Sequence, residues 1–374
     1  MHILLTLLPT FLIKNIGEYK TYFQLIFPVS SLFFLYKSKF IDKKTYVLFF
    51  LAVYSVIYSL VNLDISSLVR ISQLCLFIIL ISQIVYYKPL KSIDIFFKAS
   101  AIYGILFSFV EFILTKNIFY KTVLYSPINI KIPMLSGLIG EPNYTGFFYF
   151  GSIIYFIYTK KYRYIPIALV IILSCASRTF LICSVVSILI YFLSFNLKRL
   201  LSYLILYSVI SYPILVSLLY QFSDTSFHLL ATKITNGRFA IHCVYLDMFL
   251  KNPLGVGFFN GAKRFAQQRA NEANVFPIHD MDLYISNYQQ HSLNFQILSE
   301  FGIIGYLLFC YFIFSLHKHV SSYSSKLALL LTLFIFPTMQ LNVTNEIIVY
   351  LMISLILIYL NTKKKDQLFS KHSH

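Results

Sequence analysis

The sequence is poor in charge. Only 12% of its 374 residues are Asp, Glu, Lys or Arg, against about 25% in a soluble domain. So few charges cannot clothe a water-facing surface for a chain of this length. Nucleotide-binding signatures of the Walker or Gly-rich dinucleotide type are missing, so no cofactor of that kind is expected. The five cysteines, Cys75, Cys175, Cys183, Cys243 and Cys310, form neither a disulfide framework nor a zinc spacing. Four of them lie in apolar runs and only Cys243 in a polar region. Met1 to Ile13 is apolar but has no basic leader and no small-residue cleavage site, so it reads as a short first span rather than a cleaved signal. No internal repeat is visible, and no pair of Gly/Pro-broken spans sits at matching positions in two halves, which argues against a transporter.

What the chain has in quantity is hydrophobic residues, 58% of the total, with a mean hydropathy of +0.73. They are gathered into runs long enough to cross about 30 Å of hydrocarbon. The runs fall at 2–13, 21–36, 46–63, 68–87, 95–115, 143–159, 164–177, 179–195, 200–220, 292–316, 327–341 and 344–360. The expected fold is therefore all-α, a polytopic integral membrane protein with about 12 transmembrane helices and one large periplasmic loop. Residues 1–220 read as an N-terminal bundle of about nine spans, 221–291 as the loop, 292–360 as about three further spans and 361–374 as a basic tail.

The net charge of +17 is a topology signal. Lys and Arg collect in alternate short loops, as membrane orientation requires. One set holds Lys37, Lys39, Lys43 and Lys44, then Lys88 and Lys91, Lys160, Lys161 and Arg163, Lys198 and Arg199, Lys318 and Lys326, and the tail lysines. The opposite set, 14–20, 62–67, 116–133, 177–179, 221–291 and 342–343, is poorer in them for its length. The alternation puts both termini in the cytoplasm and the long loop in the periplasm of a bacterial inner membrane. No basic stripe is interleaved with aromatics, so nucleic acid is not an expected partner.

Polar residues in such runs are costly and call for a reason. Glu141 lies in Gly137-Leu138-Ile139-Gly140-Glu141-Pro142-Asn143 at the start of the sixth span. Pro and a carboxylate suit a helix N-terminus; a carboxylate there also suits a catalytic cavity. Ser177-Arg178-Thr179 divides two apolar runs as a tight outer turn. Arg178 is either a snorkelling interfacial charge or a clamp for phosphate oxygens. Arg70, near the outer end of the fourth span, allows the same two readings, with no pattern around it.

Within the loop, residues 238–250 place Phe239, Cys243, Leu246 and Leu250 at helical spacing. Gly237 and Asn252-Pro253-Leu254-Gly255-Val256-Gly257 bracket them. This predicts an amphipathic helix on the membrane or over the bundle, opened by Arg238, a candidate phosphate contact. His291 opens the tenth span and could serve as a general base. His279, Asp280 and Asp282 are too loose a group to predict a metal. By the loop alternation, Glu141, Arg178, Arg238 and His291 all fall on the outer side.

These motifs, in this order, resemble the O-antigen polymerase/ligase family of bacterial membrane glycosyltransferases. The resemblance rests on Glu141-Pro142-Asn143, Ser177-Arg178-Thr179, Gly237-Arg238, the 252–257 turn, His291-Ser292-Leu293 and Glu300-Phe301-Gly302-Ile303-Ile304-Gly305. Two departures stand out. The family often has a Trp soon after the loop Arg, and this chain has none; Ser292 follows His291 where Asn is common. The resemblance implies an inverting, metal-independent glycosyl transfer from an undecaprenyl-diphosphate-linked oligosaccharide, with no cofactor. It maps diphosphate binding onto Arg178 and Arg238, with Arg70 as a third candidate, and catalysis onto His291 and Glu141. Polymerase is favoured over ligase at the level of the family. A polysaccharide chain-length regulator and membrane lipids are the other expected partners.

Overall fold

The computed structural model describes residues 90–114, 120–122, 131–135, 137, 142–191, 195–222, 225–234, 238–257, 292–322 and 324–337. The expected spans before residue 88 and after 343, and the tail, lie outside the described residues.

The described chain is helical apart from one small ribbon. In order it forms α1 (Leu90–Leu114), a ribbon of β1 (Tyr120–Thr122) and β2 (Lys131–Pro133), α2 (Pro142–Tyr158), a 3-10 turn (Tyr162–Tyr164), α3 (Ile165–Ser174), α4 (Arg178–Tyr191), α5 (Phe195–Phe222), α6 (Thr225–Ile234), α7 (Arg238–Lys251), α8 (Leu293–Ser321) and α9 (Ser325–Ile335). The strands pair antiparallel, with Lys121 opposite Ile132. They fall in the 116–133 connection, for which the sequence predicts only a loop.

Three stretches, Ile93–Leu114, Asn196–Gln221 and Leu293–Ser321, are long and apolar enough to cross a membrane. Their outward faces carry large apolar side chains such as Ile113, Phe109, Leu204, Ile214, Leu307 and Tyr311, all more than half exposed. Water would oppose such a surface, whereas hydrocarbon would cover it. Between helices in lipid, close packing supplies the cohesion, and α2 is buried along nearly all of its length. Residues Tyr144 to Ile157 are buried without interruption. Phe147 stacks on Phe334 of α9 at 4.6 Å and Tyr155 on Phe97 of α1 at 4.2 Å. Gly104 leaves the room that the Tyr149 ring fills, since a Cβ there would come within 1.8 Å of its hydroxyl. That hydroxyl donates to the Ser100 carbonyl at 2.7 Å.

Direct contacts sort the helix ends into two groups. At one end, Gly137 N–H donates to the Glu111 carboxylate of α1 at 2.9 Å and Leu135 N–H to the Ser174 carbonyl of α3 at 3.0 Å. Gly146 of α2 abuts Ser177, whose Cβ would stand 2.9 Å from an added Cβ. At the other end, Asp94 of α1 binds Lys98 at 2.6 Å and also Lys161, and accepts from the Tyr155 hydroxyl at 3.0 Å. The Tyr162 and Tyr191 hydroxyls meet at 3.1 Å. His317 Nε2 meets the Ser202 hydroxyl at 3.1 Å. The junctions rich in Lys and Arg thus share one end, and those poor in them share the other.

The Tyr162–Tyr191 contact also shows that α3 and α4 run antiparallel. They form a hairpin, not one broken span. Its legs have 10 and 14 residues, about 15 and 21 Å of helix, so each is short of the hydrocarbon width. The turn between them carries Ala176 at φ 50.

Asp94 is the clearest point at which to test the packing at the lysine end. Its side chain is 22% exposed, so its pairing is worth more than a surface ion pair. Asp94→Asn leaves Lys161 without its counter-charge and should cost about 1–2 kcal/mol, between exposed and buried pairs. A drop in the melting temperature of the purified protein in detergent checks this; an unchanged midpoint would count against it.

Candidate functional site

The site is built where α5, α7 and α8 meet, at the lysine-poor end. α5 contains Pro213, which has no N–H to give the carbonyl of Val209 one turn earlier. Asn294 of α8 replaces that donor. Its amide nitrogen reaches the Val209 carbonyl at 2.5 Å, and the Tyr306 hydroxyl takes the next carbonyl, Ile210, at 2.6 Å. A proline-broken helix is tolerated in an apolar interior when a neighbouring helix satisfies the freed group in this way. Asn294→Leu should therefore cost about 1–3 kcal/mol, the penalty for an unsatisfied buried carbonyl. Adding Pro213→Ala restores the intrahelical donor and should recover part of the loss. Melting of the single and double variants measures the coupling, and strictly additive losses would disprove it.

Next to Pro213, Tyr212 turns toward α7. Its hydroxyl meets His242 Nδ1 at 2.9 Å. The His242 ring stacks on Phe295 at 4.8 Å, and Phe295 meets Tyr212 edge-on at 5.8 Å. Arg238, the first residue of α7, is partly exposed and close enough for its charge to be felt at Tyr212. A guanidinium at a helix start, above a tyrosine–histidine pair, can bind an anion and orient its oxygens.

The α7 helix forms with the expected bounds, against the bundle, the second of the two expected settings, but it is buried on more than one face. Phe239, Cys243 and Leu246 are buried, yet so are Ala240, Ile241, His242, Val244, Tyr245 and Met248, while Leu250 is exposed. The helix is packed on several sides by α5, α6 and α8 rather than lying on a surface. Burial pushes the Cys243 thiol up to about 12, so it is no nucleophile at neutral pH. Burial first, and then the Glu300 carboxylate, hold the Tyr245 phenol well above its ordinary range.

After α7 the chain turns back onto α8 and fastens to a break in it. Gly302 has φ 66 and ψ −164 inside α8. The carbonyls of Ser299 and Glu300 accept from Val256 and Gly257 N–H at 2.9 Å each, and Ile303 N–H donates to the Pro253 carbonyl at 2.9 Å. The 252–257 turn thus supplies the hydrogen bonds that the break removes. The fit depends on two glycines. A Cβ on Gly302 would lie 2.3 Å from the Leu254 carbonyl carbon, and one on Gly255 2.5 Å from the Glu300 oxygen. Two sequence motifs separated by more than forty residues are one structural unit.

The half of α8 before the break is polar and buried. Ser292, Asn294, Gln296 and Ser299 are each 0% exposed and Glu300 is 1% exposed. Gln296 donates to the Glu300 carboxylate at 3.3 Å.

Of the residues picked from the sequence, Arg178 is the first residue of α4 and Arg238 the first of α7. Both stand at the lysine-poor end. Arg70, Glu141 and His291 lie outside the described residues, as do His279, Asp280 and Asp282. Gly137 and Ser292, which flank Glu141 and His291 in sequence, are at that same end. Among the described residues, no group of three or more His, Cys, Asp or Glu side chains could hold a metal ion. Tyr212 and His242 were missed. Their signal was faint: a tyrosine beside an in-helix proline, and a histidine in the middle of an apolar helix, which needs a partner when buried.

Three helices long and apolar enough to cross a membrane, with large apolar side chains on their outward faces, mark an integral membrane protein. Residues 148–310 match a family model described as Wzy_C, O-Antigen ligase. That stretch runs from α2 into α8 and contains Arg178, Arg238, the 252–257 turn and the Gly302 break. The match supports membership of the O-antigen polymerase/ligase family and leaves polymerase and ligase unresolved. No curated protein and no solved structure matches the chain.

Proposed function

We propose that the protein joins lipid-diphosphate-linked oligosaccharide units into a polysaccharide by glycosyl transfer at the end of the bundle that carries Arg238. The observation that carries this reading is the Tyr212–His242 hydrogen bond beside the start of α8, with Arg238 one turn before His242 on α7, within the matched segment. In the reaction, a sugar hydroxyl of the acceptor attacks the anomeric carbon of the donor. The new carbon–oxygen bond forms as the bond to the diphosphate breaks, and the lipid diphosphate leaves with the bonding pair. Arg238 and Arg178 are assigned to its oxygens, where a fixed positive charge lowers the barrier most. His291 is assigned the hydroxyl proton, with Glu141 as a second catalytic candidate and Arg70 as a further diphosphate contact. The energy is already held in the donor's diphosphate bond, so the proposal needs no nucleotide and no metal.

Inversion at the anomeric carbon, undecaprenyl as the lipid, and the periplasmic face of a bacterial inner membrane belong to the same proposal. The description O-Antigen ligase favours a second reading, ligation, for which lipid A-core would be the acceptor. Purified protein in nanodiscs, supplied with a lipid-linked repeat unit alone, separates the two. A ladder of lengthening products supports polymerisation. Transfer seen only when lipid A-core is added supports ligation. No new glycosidic bond with either acceptor would sink both.

A further inference from the structure

The opposite end of the bundle carries a cluster of cations that the transfer reaction does not use. Lys160 follows α2, Lys198 lies in the first turn of α5, and Lys326 in the first turn of α9. Lys326 lies over the Tyr191 ring, and the Tyr191 hydroxyl meets that of Tyr162, two residues after Lys160; the charge of Lys160 bears on Lys326, and that of Lys326 on Lys198. Like charges held together in this way repel, and a folded protein normally answers them with carboxylates. Of the four carboxylates among the described residues, only Asp94 is at this end, and Lys98 and Lys161 hold it. Lys160, Lys198 and Lys326 have no carboxylate partner among the described residues.

The setting is ordered rather than a loose fringe. Lys326 Nζ lies 3.1 Å from the centre of the Tyr191 ring, a cation–π contact that fixes the ammonium in place. The Tyr191 hydroxyl meets that of Tyr162 at 3.1 Å. Ser325, beside Lys326, is 3% exposed, and its hydroxyl has no hydrogen-bond partner among the described residues. The starts of α5 and α9 add the positive ends of two helix dipoles. Ammonium groups, phenol hydroxyls, a spare serine hydroxyl and helix starts are all suited to phosphate oxygens. The exposed side chains of Leu189 on α4 and of Leu197 and Leu200 on α5 suit acyl chains.

We propose that Lys160, Lys198 and Lys326, with Tyr162, Tyr191 and Ser325, form a binding site for the phosphate headgroup of an anionic phospholipid at the end of the bundle opposite Arg238. The headgroup phosphate offsets part of the cluster's charge and ties the ends of α2, α4, α5 and α9 together. The site lies at the far end from the proposed transfer chemistry, so its occupancy is independent of that chemistry.

The test uses the full-length protein in nanodiscs of phosphatidylcholine, with and without phosphatidylglycerol, and reads retained lipid by native mass spectrometry and the melting midpoint by fluorescence. The wild type should retain phosphatidylglycerol in preference to phosphatidylcholine and melt higher when it is present. In the triple variant Lys160→Gln, Lys198→Gln, Lys326→Gln the preference should fall by about a hundredfold, the combined worth of three lysine–headgroup contacts. A triple Lys→Arg variant should keep it. If the triple Gln variant does not insert, Lys326→Gln alone should lower the preference by about fivefold. Equal retention of the two lipids by the wild type, or retention unchanged by Lys326→Gln, overturns the proposal. So does a midpoint that inorganic phosphate raises as far in phosphatidylcholine alone, because the site would then take a free anion rather than a lipid.

Discussion

Arg238→Ala should insert and melt like the wild type and yet lose glycan transfer by about a hundredfold to a thousandfold, the usual scale for removing one charge-stabilising group from a transition state. The side chain is partly exposed at the first position of α7, so its removal opens no cavity in the core. It stands one turn before His242, which meets the Tyr212 hydroxyl at 2.9 Å. Arg238→Lys keeps the charge but loses the fork geometry, and should recover only part of the rate. On a gel, Ala should collapse a long ladder toward single repeats, with Lys between the two. The parallel changes Arg178→Ala and His291→Ala should have the same outcome. Normal ladders from all three would remove the proposed function.

Gly302→Ala should do damage of a different kind. At φ 66 and ψ −164 a residue with a Cβ is strained by about 1–3 kcal/mol. The Cβ would also press on the Leu254 carbonyl carbon at 2.3 Å and the Pro253 oxygen at 2.4 Å, which are backbone atoms that cannot rotate away. Overpacking adds about 1–3 kcal/mol. The turn would have to lift off α8, exposing the Ser299, Glu300 and Ile303 backbone groups it now satisfies. A loss of about 2–6 kcal/mol should appear as low yield and early melting, along with lost activity. Ile304→Ala, at an exposed side chain two positions on, is the control and should melt close to the wild type. If Gly302→Ala melts with the control, the break is not held by the turn.

Much of the helical layout was legible because apolar runs end where helices must end. The bounds of α2 follow from Pro142 at its start, and those of α7 from Gly237 and Asn252-Pro253 on either side. The two groups of connections could be separated by their lysines, since that signal is carried by composition and does not depend on knowing the packing. The Arg178 turn was readable for the same reason, as a short polar interruption between two runs.

The surroundings of each helix were not legible. Residues 238–250 have the spacing of a surface helix, but spacing says nothing about how many neighbours a helix has. In this chain α5, α6 and α8 bury nearly all of α7. Nor could the sequence pair Pro213 with Asn294, 81 positions later. Either residue alone looks like a blemish in a span, and only the fold shows that one answers the other. The same holds for Gly255 and Gly302. Both motifs were visible in order, while their contact, which explains why glycine stands at each, comes from the tertiary structure. The ribbon at 120–122 and 131–133 was hidden because three-residue strands leave no periodicity to read.

The clasp at Gly302 has an engineering consequence. Gly257, whose N–H is bonded to the Glu300 carbonyl, and Ser292, eight residues before Glu300 at the start of the same half-helix, border the stretch 258–291 in sequence. Those two bordering residues are therefore fixed to one rigid piece. Exchanges of sequence joined at 257/258 and 291/292 would leave the clasp, with Gly255 and Gly302, untouched.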